Sequence, residues 1–238
     1  MVERELTTGM ATAVPELLTC PRPVEAAGEK LADAILDVLA RNEFARLAIS
    51  GGSALDAASD ARVRLADEWK RVVLTWVDER CVPVASADSN RGAAAASGLL
   101  SIDGGSETDP SSVVALFEDE EDPRTAIDRF GEAWQSKLGE GLDVVLLGMG
   151  PDGHVASLFP SLRPWPVGVP VAHVSKSPKP PADRITLTRE ALATASCIVL
   201  LAAGDGKRDA IKKLMSGDSA LPACGLENML VVTDQTLE

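Results

Sequence analysis

Short apolar runs recur along this chain, each closed by a turn and most followed by a helical period, and they constrain the fold more than any other feature. ARLAIS (45–50) leads through Gly51-Gly52 into ALDAASDARVRLADEW, whose period is helical. RVVLTWV (71–77), LDVVLLG (142–148), SCIVLLAAG (196–204) and MLVVTD (229–234) are further runs of strand length. Between them, Asn90–Leu100 is Ala-rich and helical, and SSVVALF (111–117) suits a short strand. DPRTAIDRFGEAWQSKL places Ile127, Phe130, Trp134 and Leu138 on one helical face after Pro123, and another helix fits Lys207–Met215. Continuous apolar runs, rather than alternating ones, belong in strands buried on both faces.

The expected class is α/β: an open, mainly parallel, Rossmann-like sheet with helices on both faces. The proline-rich stretch Trp165–Pro181 breaks the pattern and reads as a loop or extended excursion. RITLT (184–188) alternates, as an antiparallel or half-exposed strand does, so 164–188 is expected to form a small peripheral antiparallel and loop region. With no internal repeat and no low-complexity linker, residues 1–238 are expected to form a single domain.

The formal net charge of -13 argues against a nucleic-acid partner, which needs a basic face. Any phosphate site must then be built locally, from a few cations and backbone amides. Cys20, Cys81, Cys197 and Cys224 show no paired spacing, so reduced, packed thiols are expected, with no disulfide framework and no metal site. The opening MVERELTTGM lacks the apolar core of a secretory signal, and no run approaches the ~20 residues of a membrane span. The expectation is a cytoplasmic protein with no membrane partner, a monomer or small homo-oligomer.

Ligands of open parallel sheets bind beyond the carboxyl ends of the strands. Four such ends carry unusual residues. Ser50-Gly51-Gly52-Ser53 can bring free amides to an anion, or serve only as a tight turn capped by Ser53. Asp78-Glu79-Arg80 puts two carboxylates and a guanidinium after a buried strand, as part of a site or as a structural ion pair. Gly204-Asp205-Gly206-Lys207 presents a lysine at a helix start, for a phosphate or for solvent. It is not a phosphate-binding P-loop, because Leu201 and Arg208 stand where that motif needs Gly and Ser or Thr.

The fourth end is GMGPDGHVASLFP (148–160), in which Gly148, Gly150 and Gly153 fit G-x-G-x-x-G. A dinucleotide loop needs an acid about 20 residues on, to hold the ribose. The next acid after Asp152 is Asp183, and Pro151 interrupts the turn, so no nucleotide cofactor is expected. What remains is Asp152 and His154 on a glycine loop at a strand mouth. An imidazole there can take a proton from water if its other nitrogen is oriented, or it can simply cap the turn. His173, in the proline-rich stretch, reads as structural, and Cys81 as packing.

In order along the chain, SGGS (50–53), DERCVPVASADSN (78–90), GMGPDGHVASLFP (148–160), RITLT (184–188) and GDGK (204–207) resemble the 6-phosphogluconolactonase family. One departure is Ala54-Leu55, where that family's loop continues Thr-Pro. The resemblance implies hydrolysis of 6-phospho-D-glucono-1,5-lactone, a phosphorylated sugar lactone, without cofactor or metal. It implies His154 as general base, with Asp152 and Asp78 counted beside it in the catalytic set. Gly51, Gly52, Ser53, Arg80, Arg184 and Lys207 would hold the phosphate or the developing oxyanion.

Two alternatives share the scaffold. Sugar-phosphate isomerases or deaminases of the superfamily read D-E-Y at the second end and N-E-P after D-G-H, where this chain has Asp78-Glu79-Arg80 and Leu158-Phe159-Pro160. A non-catalytic sugar-phosphate sensor would keep the anion loops without needing His154.

Overall fold

The protein is described from a computed structural model covering residues 14–100, 109–139 and 141–237. The charged stretch 1–10 lies outside the described residues. Seven strands form a wholly parallel sheet: β1 (Glu16–Thr19), β2 (Ala45–Ile49), β3 (Val72–Trp76), β5 (Ser112–Val114), β6 (Val144–Gly148), β9 (Cys197–Leu201) and β10 (Met229–Thr233). Their order is β1-β10-β9-β6-β2-β3-β5. Three more strands, β4 (Asp78–Arg80), β7 (Val171–Val174) and β8 (Arg184–Leu187), form an antiparallel sheet in the order β4-β8-β7.

The central strands are rich in Val, Leu and Ile because they are buried on both faces, and the one buried hydroxyl of β3, on Thr75, donates to the Val114 carbonyl at 2.7 Å. Every residue of β3 is buried, and so are Leu146, Leu147, Val199 and Leu200. Helices flank this sheet. Between them α1 (Pro23–Leu39) and α2 (Ala54–Leu65) pack on each other and across β2, β6, β9 and β10. The other helices are α3 (Asn90–Ala96), α4 (Pro123–Ser136), α5 (Arg189–Leu192) and α6 (Arg208–Met215). Asp122 caps α4 by accepting from the amides of Arg124 and Thr125 at 2.9 and 3.1 Å, and Pro123 occupies the first turn.

The structure refines several expectations. Residues 16–39, given no element from the sequence, form β1 and α1, although Pro23 and apolar Ala27, Leu31 and Ile35 carry a readable helical period. The proline-rich stretch is not all loop, for Val171–Val174 pairs with β8. Strand β8 is antiparallel as expected but not half-exposed. All four residues are buried, because β4 and β7 flank it and α4 packs against it. The helix starting at Ala54 stops at Leu65 and tightens into a 3-10 turn over Ala66–Arg71. Among the described residues, no helix is long and apolar enough to cross a membrane, and no group of His, Cys, Asp or Glu is arranged to hold a metal ion.

The side on which successive strands are added switches between β2 and β6. From β2 the chain steps to β3 on one side, whereas β6 enters on the other side and β9 and β10 continue outward. Loops leaving β2 and β6 therefore part in opposite directions and leave a crevice above their carboxyl ends.

Candidate active site

That crevice is a cleft of about 290 Å³, and all four strand ends singled out in the sequence meet in it. Gly51, Gly52 and Ser53 line it from β2, Asp78 and Arg80 from β4, Gly148–Pro151 and His154 from β6, Arg184 from β8 and Lys207 from the turn after β9.

The β2 loop is shaped for an anion. Ser50 ties it to β6 by accepting from the Gly148 amide at 2.9 Å. Among the described residues, the amides of Gly51, Gly52 and Ser53 donate to no protein acceptor. Ser53 does stand at the N-cap position of α2, as the turn reading has it, but its side chain makes no cap bond there. A Cβ at Gly51 would lie 2.0 Å from Oδ1 of Asn90, so only glycine lets the loop close on that asparagine.

Strand alternation sorts the acidic cluster. Asp78 and Arg80 share one face of β4 and reach the cleft, while Glu79 points away. Glu79 accepts from the amides of Arg80, Asn90 and Arg91 at 2.7, 2.8 and 2.7 Å, and from Ser89 Oγ at 3.2 Å. It anchors the start of α3, although burial pushes its carboxyl above the usual carboxylate range. Asp78 accepts from Ser157 Oγ at 2.6 Å and pairs with Arg184 at 3.6 Å. Arg80 donates through one terminal nitrogen to the Asp88 carbonyl at 2.5 Å, and its buried Nε has no partner.

Arg184 is committed to protein at each guanidinium nitrogen. Nε donates to the Pro181 carbonyl at 3.1 Å, and Nη2 donates to those of Lys179 and Pro180 at 3.1 and 3.0 Å. Nη1 faces Ser157 and Asp78. Lys207, by contrast, spends one proton on the Met149 carbonyl at 2.5 Å. Burial and the nearby Lys179 pull its ammonium below the usual lysine range, so an anion in the cleft would favour its charged form.

His154 stands at the cleft wall with its side chain 16% exposed. Its Nδ1 lies 2.5 Å from Asp152 Oδ1, and its ring packs on Phe159 at a centroid distance of 4.5 Å. Asp152 is kept below the usual carboxylate range; burial opposes this, and the hydrogen bond and charge of His154 outweigh it. His154 itself is held below its usual range, chiefly by burial. The ring is therefore neutral near pH 7, with Nδ1 donating to Asp152 and Nε2 carrying the free lone pair. Among the described residues, Nε2 has no hydrogen-bond partner. Such a ring can take a proton from water.

Sequence reasoning missed Lys179, Asn90 and Ser157. Ser-Asn at 89–90 and Ser157 stand inside the motifs already quoted, but Lys179 lies in a stretch with no readable period. His173 forms a separate pair with Asp183, Nε2 to Oδ1 at 2.8 Å, outside the cleft lining. Burial pushes the Cys81 thiol up to about 12, with Asp183 and Glu79 adding to it, so it is a packed and inert group.

Fold and site together define a class: an α/β protein whose switch-point cleft can hold an anion beside an oriented, neutral imidazole. The chain belongs to the family of glucosamine-6-phosphate isomerases and 6-phosphogluconolactonases, which matches residues 22–233. It is 33% identical over 229 residues to the 6-phosphogluconolactonase of Mycobacterium leprae, covering 89% of this chain and 91% of that one. It is 36% identical over 192 residues to a probable chloroplastic 6-phosphogluconolactonase 3 of rice, covering 71% of this chain but only 55% of the plant protein. The chain thus spans about half the length of that relative. Among solved structures, the 6-phosphogluconolactonase of Thermotoga maritima superposes with a TM-score of 0.77 at 25% identity, covering 92% of this chain and 98% of that one.

Proposed function

We propose that this protein hydrolyses 6-phospho-D-glucono-1,5-lactone to 6-phospho-D-gluconate, as the names of its relatives suggest. The observation that carries the reading is the His154–Asp152 pair, set in a cleft that also holds Arg80, Lys207 and three unengaged amides. Asp152 fixes the imidazole so that Nε2 draws a proton from a water attacking the lactone carbonyl. The tetrahedral intermediate then collapses, the ring oxygen leaves with the proton, and the carboxylic acid ionises. Gly51, Gly52, Ser53, Arg80 and Lys207 hold the phosphate at the far end, which sets the carbonyl within reach of the histidine.

Two residues take roles other than those the sequence implied. Asp78, held by Ser157 and Arg184, acts as a fixed wall of the cleft rather than a reacting group. Arg184, whose nitrogens are all engaged, supports the loop that carries Lys179 rather than the phosphate. We also infer one domain, supported by a buried cluster that runs from the parallel sheet through Val171, Ile185 and Leu187 of the smaller one.

Turnover of 6-phosphoglucono-δ-lactone, with glucosamine 6-phosphate beside it, tests the reading. Lactone hydrolysis well above the spontaneous rate, without release of ammonia from the amino sugar, is the expected result. Release of ammonia would move the protein to the deaminases, and binding of both compounds without turnover would make it a sensor.

A further inference from the structure

Lys179 stands on the loop between β7 and β8 and lines the cleft. Its backbone is fixed on both sides. Its carbonyl accepts from Arg184 Nη2 at 3.1 Å and from Ser177 Oγ at 2.7 Å, and its amide donates to Ser177 Oγ at 3.2 Å. From that platform the ammonium reaches back to the pair on the β6 loop. Nζ lies 3.5 Å from Asp152 Oδ1 and 3.4 Å from His154 Nδ1.

The chemistry of the pair makes this placement matter. A carboxylate alone against a histidine orients the ring, but it also draws a proton onto it, and an imidazolium cannot serve as a base. A cation shared by the same carboxylate oxygen balances its charge and leaves the orienting hydrogen bond intact. The chain holds its own comparison: Asp183 pairs with His173, through Nε2 rather than Nδ1, and among the described residues it has no Lys or Arg ion-pair partner.

We propose that Lys179 is a positioning residue of this site, its ammonium balancing Asp152 so that the carboxylate aligns His154 without charging it. The inference deepens the hydrolase reading and rests on it for its catalytic meaning. The other charged groups near the ring are Asp78 from β4 and Lys207 from the turn after β9, with Arg184 of β8 lying 5.8 Å over the Phe159 ring that backs the histidine. Asp78 favours the imidazolium and Lys179 opposes it, with burial the larger effect.

The test reads the two histidines of the 238-residue chain by imidazole NMR across pH, in wild type, Lys179→Met and Lys179→Arg, with His173→Gln used for assignment. The expected result is a His154 midpoint moved to higher pH in Lys179→Met, restored in Lys179→Arg, with His173 unmoved in both. In parallel, kcat/KM for the lactone falls several-fold at pH 6 and little at pH 8 in Lys179→Met, while KM changes less than kcat at the lower pH. An unmoved His154 midpoint overturns the proposal and leaves Lys179 a mere strut of its loop. A shift shared by His173 also overturns it, since that would mark a general structural change. The NMR arm needs no substrate, so a wild-type protein that fails to hydrolyse lactone sinks the reaction while the shift still decides the role of Lys179.

Discussion

Gly150 and His154 occupy space that admits no side chain at position 150: a Cβ there would lie 2.0 Å from both Nδ1 and Cε1 of the imidazole. The Gly150 amide also donates to the His154 carbonyl at 2.8 Å, so the loop folds its own backbone around the ring. Gly150→Ala must displace the imidazole from Asp152. Displacements near 1 Å cost about 100-fold when they disturb reacting groups. We expect kcat for lactone hydrolysis to fall by at least ~10-fold, with an unchanged far-ultraviolet spectrum. A fully active alanine variant would contradict the crowding.

Removing the proposed base is the sharper trial. His154→Ala should fold normally and lose at least ~100-fold in kcat/KM, the usual scale for general-base catalysis. Spontaneous lactone opening must be subtracted from every rate. Retained activity would take His154 out of the mechanism.

The sign of the pH dependence follows from burial. Folded His154 resists protonation relative to its ordinary value of 6.5, so the active, neutral form persists to lower pH than in a free histidine. kcat/KM should therefore rise with pH through a midpoint below 6.5 and level off above it. The same displacement links to stability: its contribution is fully present above the unfolded value and is lost as pH falls through the folded one. Asp152→Asn removes the charge that favours imidazolium, so the limb should move further down while the rate drops. An acid limb above 6.5 in wild type would refute the assignment.

Lys207 spends one proton on the Met149 carbonyl and shares the cleft with Lys179 and Asp152, whose charges it feels. If it binds the phosphate equally in ground and transition states, Lys207→Ala raises KM more than it lowers kcat. Steady-state kinetics on the phosphorylated lactone and its unphosphorylated analogue decide this. A pure kcat effect would place the lysine at the reacting carbonyl.

Arg184 separates structure from binding. Its side chain is 5% exposed and its partner Asp78 is 9% exposed. Arg184→Met leaves the buried Asp78 carboxylate without its cation and removes a donor from three loop carbonyls, a change on the scale of about 3 kcal/mol or more. Denaturant unfolding should show that loss directly. An unchanged stability with a raised KM would return Arg184 to the phosphate.

Much of this protein was written locally. Apolar runs of strand length in β2, β3, β6, β9 and β10 give the parallel sheet, because buried backbone must pair and buried side chains must be apolar. Gly51 and Gly150 likewise mark close approaches that no side chain tolerates. Sequence also named the residues that meet in the cleft, since motifs at strand ends need only the rule that such ends converge. Tertiary structure alone decided which partners those residues meet there. Strand alternation in β4 sent Glu79 to the α3 start and Asp78 to the cleft, and pairing of β8 with β7 turned Arg184 onto a loop read as patternless. Lys179 reaches Asp152 only because a chain 27 residues further on returns to the same place. Electrostatic partners chosen across such separations leave no period in the sequence, so the cation beside His154 became visible only in the fold.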